Sequence, residues 1–523
     1  MELMLVTPVL FHIIAILLNV QTTSGGPISS CPGICTCDWD RGKINCSNQG
    51  IDKVPDFGQN ATLVKHFYFD YNNMSIVSTD TFSRLPNLEE LSLKYNSISE
   101  IDSGSFLTLQ KLQELYLNGN RLLTVKRWTF KDLPALRSLF LNQNKIQNIE
   151  EDVFSNLPNL TELQLVDNSI SNLRSSSINN VNLLSHIFLR NNSLLAVPTD
   201  FLIKTPALKF LLMDNNFIST IDKFAFAGCS RLEQLFLNYN RIGNIHKLAF
   251  SIQAHGSTSL NLNLTLLQIA HNKLKTISPA FNFTNKLLHL DISENVFEKV
   301  EPFSLSNLSN LRTLNMVKCD NLTRIEPFAF AGLSELRTLF LSNNNRLQYI
   351  SEQAFLDSKK VDAVFLENNN LTTLSENLLD WENVLTLNID TNNFVCSCDL
   401  LWIQSRIKQH AQTVLCSEGN KTRYIIQLDG ETMKCPFKTK THDDSKSRLM
   451  TGLVAASVIS CSIILCYVLI SFRRKLYAKY IHFKYRRQRD DPLFTVEDPR
   501  GKRKMFSDKS MLPNEDTNED TLM

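Results

Sequence analysis

What the sequence lacks narrows its function before any motif is found. Its 523 residues carry a formal net charge of only +2, so the charge balance gives no reason to expect nucleic acid as a partner. It has no G-x-S-x-G elbow, no H-E-x-x-H helix and no phosphate-cradling glycine loop. The ten histidines do not fall into metal-ligand pairs, and the paired C-x2-C elements of a tetrahedral zinc site are missing. These absences lead us to expect no enzyme activity, no cofactor and no bound metal. The 43% apolar content is ample for a large core.

What the sequence has is repetition. The stretch LEELSLKYNSISEIDSGSFLTLQK, residues 88–111, opens with the pattern L-x-x-L-x-L-x-x-N-x-L. Asparagine recurs at 72, 96, 120, 144, 168, 192, 216 and 240, always 24 residues apart, and continues with slipped spacing at 272, 295, 344, 369 and 392. A period of 20 to 29 with this motif is the leucine-rich repeat signature. About fourteen repeats fill residues 63–394. The predicted fold is α/β, a leucine-rich repeat solenoid or horseshoe with a concave parallel β-sheet.

The physics of one repeat accounts for the pattern. Alternate residues of a short strand face opposite ways, so Leu91 and Leu93 point inward while Ser92 and Lys94 point out. The asparagine amide both donates to and accepts from backbone that the turn would otherwise bury bare. A further inward residue is often Phe, at 82, 106, 130, 154, 226, 250, 330 and 355. One repeat cannot bury these groups, whereas stacked repeats share a continuous core. Strands sit about 4.8 Å apart and the bulkier outer halves need more room, which curves the stack.

The central outward position of successive strands reads Tyr68, Ser92, Tyr116, Phe140, Gln164, Phe188, Leu212, Phe236, Gln268, Asp291, Asn315, Phe340, Phe365 and Asn388. Seven of these are aromatic. Aromatic rings pair across strands, but a row of outward Phe without a polar handle reads as a binding stripe. The candidate ligand-binding residues are therefore Tyr68, Tyr116, Phe140, Phe188, Phe236, Phe340 and Phe365, centred on Tyr116, Phe140 and Phe188.

Two irregularities interrupt the array. The repeat opening at Leu232 has 32 residues, its surplus lying at 251–263 on an expected surface loop. Cys319 replaces a ladder asparagine, and Cys229 lies four repeats earlier. Four strand spacings far exceed the roughly 7 Å that a disulfide allows between Cα atoms, which predicts two free, buried thiols.

The ends carry the remaining signals. Residues 1–25 read as a secretory signal peptide. A cysteine-rich N-terminal cap spans 26–62, with Cys31, Cys35, Cys37 and Cys46, and a C-terminal cap spans 395–436, with Cys396, Cys398, Cys416 and Cys435. Secretion favours disulfides over zinc, and four cysteines allow three pairings in each cap. Glycosylation sequons occur at Asn60, Asn73, Asn159, Asn191, Asn263, Asn282, Asn307, Asn321, Asn370 and Asn420. A spacer at 437–448 leads to a charge-free run at 449–472, long enough to span a membrane. Eight Lys or Arg follow within 473–489, which places the tail, 473–523, in the cytoplasm and its basic stretch, 473–489, against anionic lipid. YIHF, 480–483, fits a Y-x-x-Φ sorting pattern, and the terminal EDTLM suits capture by a PDZ-domain protein.

Residues 31–436 resemble the ectodomains of type I single-pass leucine-rich repeat membrane proteins, a class with Slit-like, Nogo-receptor-like and Toll-like members. The resemblance rests on the cap spacings C-x3-C-x-C-x8-C and C-x-C-x17-C-x18-C and on the repeat. It implies Cys31–Cys37, Cys35–Cys46, Cys396–Cys416 and Cys398–Cys435 disulfides, with Trp402 and Ile403 covering the last repeat. The tail is too short for a Toll-type signalling domain. The function expected is a plasma-membrane receptor or adhesion glycoprotein, N-terminus outside, that binds an extracellular or membrane-bound protein through its concave face. The alternatives are an auxiliary subunit or co-receptor of a channel or signalling receptor, and a trafficking or luminal factor.

Overall fold

The structure, a computed structural model, describes residues 31–252, 260–356, 358, 360–404, 414–435, 496–497 and 503–504. The chain divides into two units, Met1–Cys435 and Pro436–Met523. Among the described residues the second unit contributes one antiparallel pair, Val496–Glu497 with Arg503–Lys504. The expected signal peptide, membrane span, basic stretch and C-terminal motif lie outside the described residues, and no helix among those described is long and apolar enough to cross a membrane.

The first unit is a solenoid built on one sixteen-stranded sheet. Each repeat supplies a three-residue strand, from His66–Tyr68 to Thr386–Asn388. Neighbours run parallel with no shift of register, as in Ser138–Phe140 against Glu162–Gln164. The remaining two strands are the N-terminal cap. Thr36–Asp38 pairs antiparallel with Lys43–Asn45, which pairs in turn with the first repeat. That hairpin covers what would otherwise be an open sheet edge.

The inward side is uniform. The middle residue of each strand is buried, Leu91, Leu115, Leu139 and Leu163 completely. Behind them Phe82, Phe106, Phe130 and Phe154 form a column of near-parallel rings, centroids 6.1, 5.8 and 6.1 Å apart. The column resumes at Phe226, Phe250 and Phe281 and again at Phe330 and Phe355. All eight phenylalanines expected to point inward are buried.

The asparagines form a ladder with the reciprocal bonding their chemistry allows. Asn96 Nδ2 donates to Phe69 O of the preceding repeat at 2.8 Å and to Leu93 O of its own at 3.2 Å, and its Oδ1 accepts from Met74 N–H at 3.2 Å. The residue before each rung is left-handed, with φ of 54° at Tyr71, 52° at Tyr95 and 54° at Gln143. Only Gly119 is a glycine among these, so the ladder holds ordinary side chains in a conformation they otherwise avoid. At the irregular rung, Cys319 N–H donates to Asn344 Oδ1 at 2.7 Å and the thiol sits 3.8 Å from Ile292 O. Cys229 and Cys319 are both free and buried, and burial pushes each thiol up to about 12, which keeps it protonated and inert.

Disulfides close both caps, joining Cys31 to Cys37, Cys35 to Cys46, Cys396 to Cys416 and Cys398 to Cys435. Trp402 packs on Trp381 at 4.7 Å and donates from Nε1 to Leu374 O, while Ile403 is buried against the last repeat. The insertion in the long repeat is anchored by an antiparallel pair, Ser251–Ile252 with Leu260–Asn261.

Candidate protein-binding surface

The register places the candidate residues in one column, because each occupies the third position of its strand. Tyr68 pairs with Ser92, Ser92 with Tyr116, Tyr116 with Phe140, and so on to Asn388. The column is not a continuous stripe, however. It breaks into three aromatic clusters and an outlying tyrosine.

Tyr116 and Phe140 stack at 4.5 Å with planes 8° apart. Lys94 Nζ lies 3.8 Å over the Tyr116 ring, a cation–π contact that keeps a positive charge on the face. Tyr116 Oη donates to Glu114 Oε2 at 2.5 Å, and burial together with that carboxylate holds the phenol protonated well above its usual range. Tyr68 repeats the arrangement, donating to Glu90 Oε2 at 2.7 Å beneath Lys43, and its phenol is raised for the same reasons, burial first. Tyr68 and Tyr116 do not touch as neighbours, because Ser92 stands between them. Ser92 was expected to face solvent, but it is completely buried and donates to Asp70 Oδ1 at 2.5 Å. Its side chain is too short to rise between the flanking rings.

The second cluster is wider than the column. Phe188 and Phe236 are joined through Phe210, whose ring centroid lies 5.1 and 5.0 Å from theirs, and His186 stacks on Phe210 at 5.9 Å. Phe188 therefore belongs with Phe236 rather than with Phe140. Gln164, between the two groups, accepts from Asn142 Nδ2 and donates to Glu162 Oε1. Phe210 and His186 were missed because they occupy the first strand position, which alternation also turns outward. The third cluster is Phe340 stacked on Phe365 at 4.7 Å, separated from the second by the polar run Gln268, Asp291 and Asn315.

One edge of the face carries a feature the sequence reading omitted. Tyr71 and Tyr95, 58% and 43% exposed, stack at 4.7 Å. Tyr95 reaches across the next repeat, its Oη donating to Gln143 Oε1 at 3.2 Å. It can do so because that repeat has Gly119, where a Cβ would fall 2.4 Å from the Tyr95 ring. Among the sequon residues Asn73, Asn159, Asn307 and Asn420 are exposed, and Asn60, Asn191, Asn263, Asn282, Asn321 and Asn370 are half-buried. Among the described residues no group of three His, Cys, Asp or Glu is placed to hold a metal.

The comparisons agree with this geometry. The Leucine rich repeat family profile matches residues 62–122, 110–170, 262–320 and 316–371. A leucine-rich repeat protein of Leptospira interrogans is similar in structure, with a TM-score of 0.50 and 22% identity over 72% of this chain and 95% of that one. The leucine-rich repeat domain of APL1 is similar with a TM-score of 0.52 and 21% identity, covering 66% of this chain and 86% of that one. No significant match to a curated protein was found. The chain is a leucine-rich repeat protein, a fold whose stacked repeats offer an extended sheet face suited to protein–protein interaction.

Proposed function

We propose that this protein is a plasma-membrane receptor or adhesion molecule, a type I glycoprotein that binds a protein ligand on the outward face of its sheet and performs no catalysis itself. The observation that carries the reading is the set of aromatic clusters on that face, above all Tyr116 on Phe140 with Lys94 over it. Binding energy concentrates in aromatic anchors that become fully desolvated, and rings already locked by stacking lose little entropy on docking. Cell-surface proximity labelling with the full-length chain is the test. Phe140→Ala should cost about 2 kcal/mol or more in ligand affinity. Surface-expressed Phe140→Ala protein that labels the same neighbours with the same affinity would refute the assignment.

A second reading, an auxiliary subunit or co-receptor, is supported by the eight basic residues at 473–489 after the apolar run at 449–472 and by the short tail. Exchanging only residues 449–523 for an unrelated span and tail separates the two. A receptor keeps its extracellular partner, while an auxiliary subunit loses its assembly. Surface biotinylation of the native chain counts against a luminal role.

A further inference from the structure

The outward face of the sheet is acidic in a chain that is not. The chain carries 54 Lys and Arg against 52 Asp and Glu. The first and third positions of the fourteen repeat strands, the two that face outward, hold Glu90, Glu114, Glu162 and Asp291 but no Lys or Arg. Lys94 and Arg190, two residues beyond their strands, are outnumbered at that position by Asp70, Asp214, Glu367 and Asp390. Among the described residues no Lys or Arg forms an ion pair with any of the four strand acids, whereas Glu89, Glu233 and Asp362, each one residue before its strand, are paired with Lys65, Lys209 and Arg337 at 3.3, 3.2 and 3.6 Å. The edge of the sheet is compensated and its outward face is not.

Three of these acids line one side of the Tyr116–Phe140 stack, at a cost to the fold. Glu90 and Glu114 are directly opposed in the register, and Ser138 stands between Glu114 and Glu162. Like charges at opposed positions are destabilising. Each carboxylate is half-buried and held by one donor, Glu90 by Tyr68 at 2.7 Å, Glu114 by Tyr116 at 2.5 Å and Glu162 by Gln164 at 2.5 Å. A Gln at each position would keep an acceptor for these donors without the repulsion, so the charge serves something other than the fold. We propose that the face takes a basic protein segment, its Lys or Arg side chains set along Glu90, Glu114 and Glu162 and an apolar side chain seated on Phe140. Complementary charge steers the encounter and fixes the register, while the aromatic anchor supplies the binding energy. Lys94 lies against the Tyr116 ring from the other side of the column, so the partner's cations belong on the glutamate side. The assignment rests on reading this face as protein-binding.

The probe is a fluorescent peptide repeating lysine, serine, tyrosine and glycine, titrated against the full-length protein in non-ionic detergent. Its counterparts carry glutamate for lysine or serine for tyrosine. The basic peptide should bind at least about tenfold more tightly than the glutamate peptide, and raising the salt from about 50 to about 300 mM should cut that preference several-fold. Replacing tyrosine by serine in the peptide should weaken it several-fold. Glu90→Gln with Glu114→Gln and Glu162→Gln should remove most of the preference. Ser138→Lys leaves the glutamates and their donors in place and sets a cation among them, so it should weaken the basic peptide several-fold and decides the matter if the triple variant melts early. Changing Glu298, Glu352 and Glu382, exposed acids away from the outward strand positions, to Gln should leave the preference as it was. Equal binding of the basic and glutamate peptides, or no effect of Ser138→Lys, overturns the proposal. So does an equal loss in the two triple variants, which would mean that net charge alone is read. The peptides report on the charge of the face, and the dependence of the labelled partner on Phe140 reports on the face as a protein-binding surface, so the two readings can fail separately.

Discussion

The two sides of the same strands obey different rules. Inward, the repeats share one solution with few exceptions, a buried apolar residue at the strand centre, an asparagine rung bonded to two repeats, and in most of them a phenylalanine behind. Outward, no two stretches agree, and three aromatic clusters of different composition are separated by Gln164 and by Gln268, Asp291 and Asn315. The inward side must repeat, because each unit buries its neighbour's core. The outward side is free of that constraint, so its departures from periodicity are where a binding function can be written.

Two substitutions one residue apart give the sharpest test of this division. Leu139 is completely buried and Phe140 is half-exposed on the same strand. Leu139→Ala should destabilise the protein by about 3–5 kcal/mol. Phe140→Ala should cost well under half of that and act on binding instead. Denaturant titration of both settles it, and equal losses would erase the distinction. Next in size is the ladder itself. Asn120 is bonded to Leu93 O, Leu117 O and Ile98 N–H, at 2.9, 3.0 and 3.0 Å. Asn120→Ala strands the buried Ile98 N–H, while Leu93 O and Leu117 O still accept from Asn96 and Asn144, and should cost about 1–3 kcal/mol. A loss below about 1 kcal/mol would show that water replaces the rung.

The inward side was legible in the sequence and the outward side only in part, for one physical reason. Strand register is set by a residue type at a fixed spacing, so the asparagine period placed all fourteen strands and aligned Tyr68 through Asn388 in one column. Which column members touch depends on side-chain length and on neighbouring columns. Ser92 disappears between taller rings, and Phe210 links Phe188 to Phe236 from the first strand position. Tyr95 lying over Gly119 joins residues whose significance shows only once both are placed.

Gly119 blurs the division, since it faces outward yet is structurally constrained. Its φ is 69°, a conformation other repeats impose on Tyr, Gln and Asn, so the backbone penalty for Gly119→Ala should be only about 1–2 kcal/mol. The new methyl must also displace the Tyr95 ring and break its bond to Gln143. Calorimetry should find that modest loss. If ligand affinity falls as well, the Tyr71–Tyr95 edge belongs to the binding surface.

The smallest expected effect is a gain. Asp214 is the outward residue two positions beyond Leu212, and burial raises its carboxyl from 3.8 to about 6, against the pull of the Asn238 N–H at 2.7 Å and of Arg190. A carboxyl whose folded pKa is raised binds its proton more tightly in the folded state. This group therefore favours folding most below about 3.8, and that contribution is lost as pH rises through about 6. At neutral pH the buried carboxylate is a liability whose ceiling, for a rise of this size, is about 3 kcal/mol. Asp214→Asn removes the charge and keeps an oxygen for the Asn238 N–H, but forgoes the attraction of Arg190, so the net gain should be about 1 kcal/mol at pH 7.5. The gain should vanish by pH 4, where the native carboxyl is itself neutral. Melting temperatures of both proteins at the two pH values decide the matter. A difference that does not change with pH would mean that Asp214 stays ionised throughout. The outward face would then tolerate a buried charge at no cost.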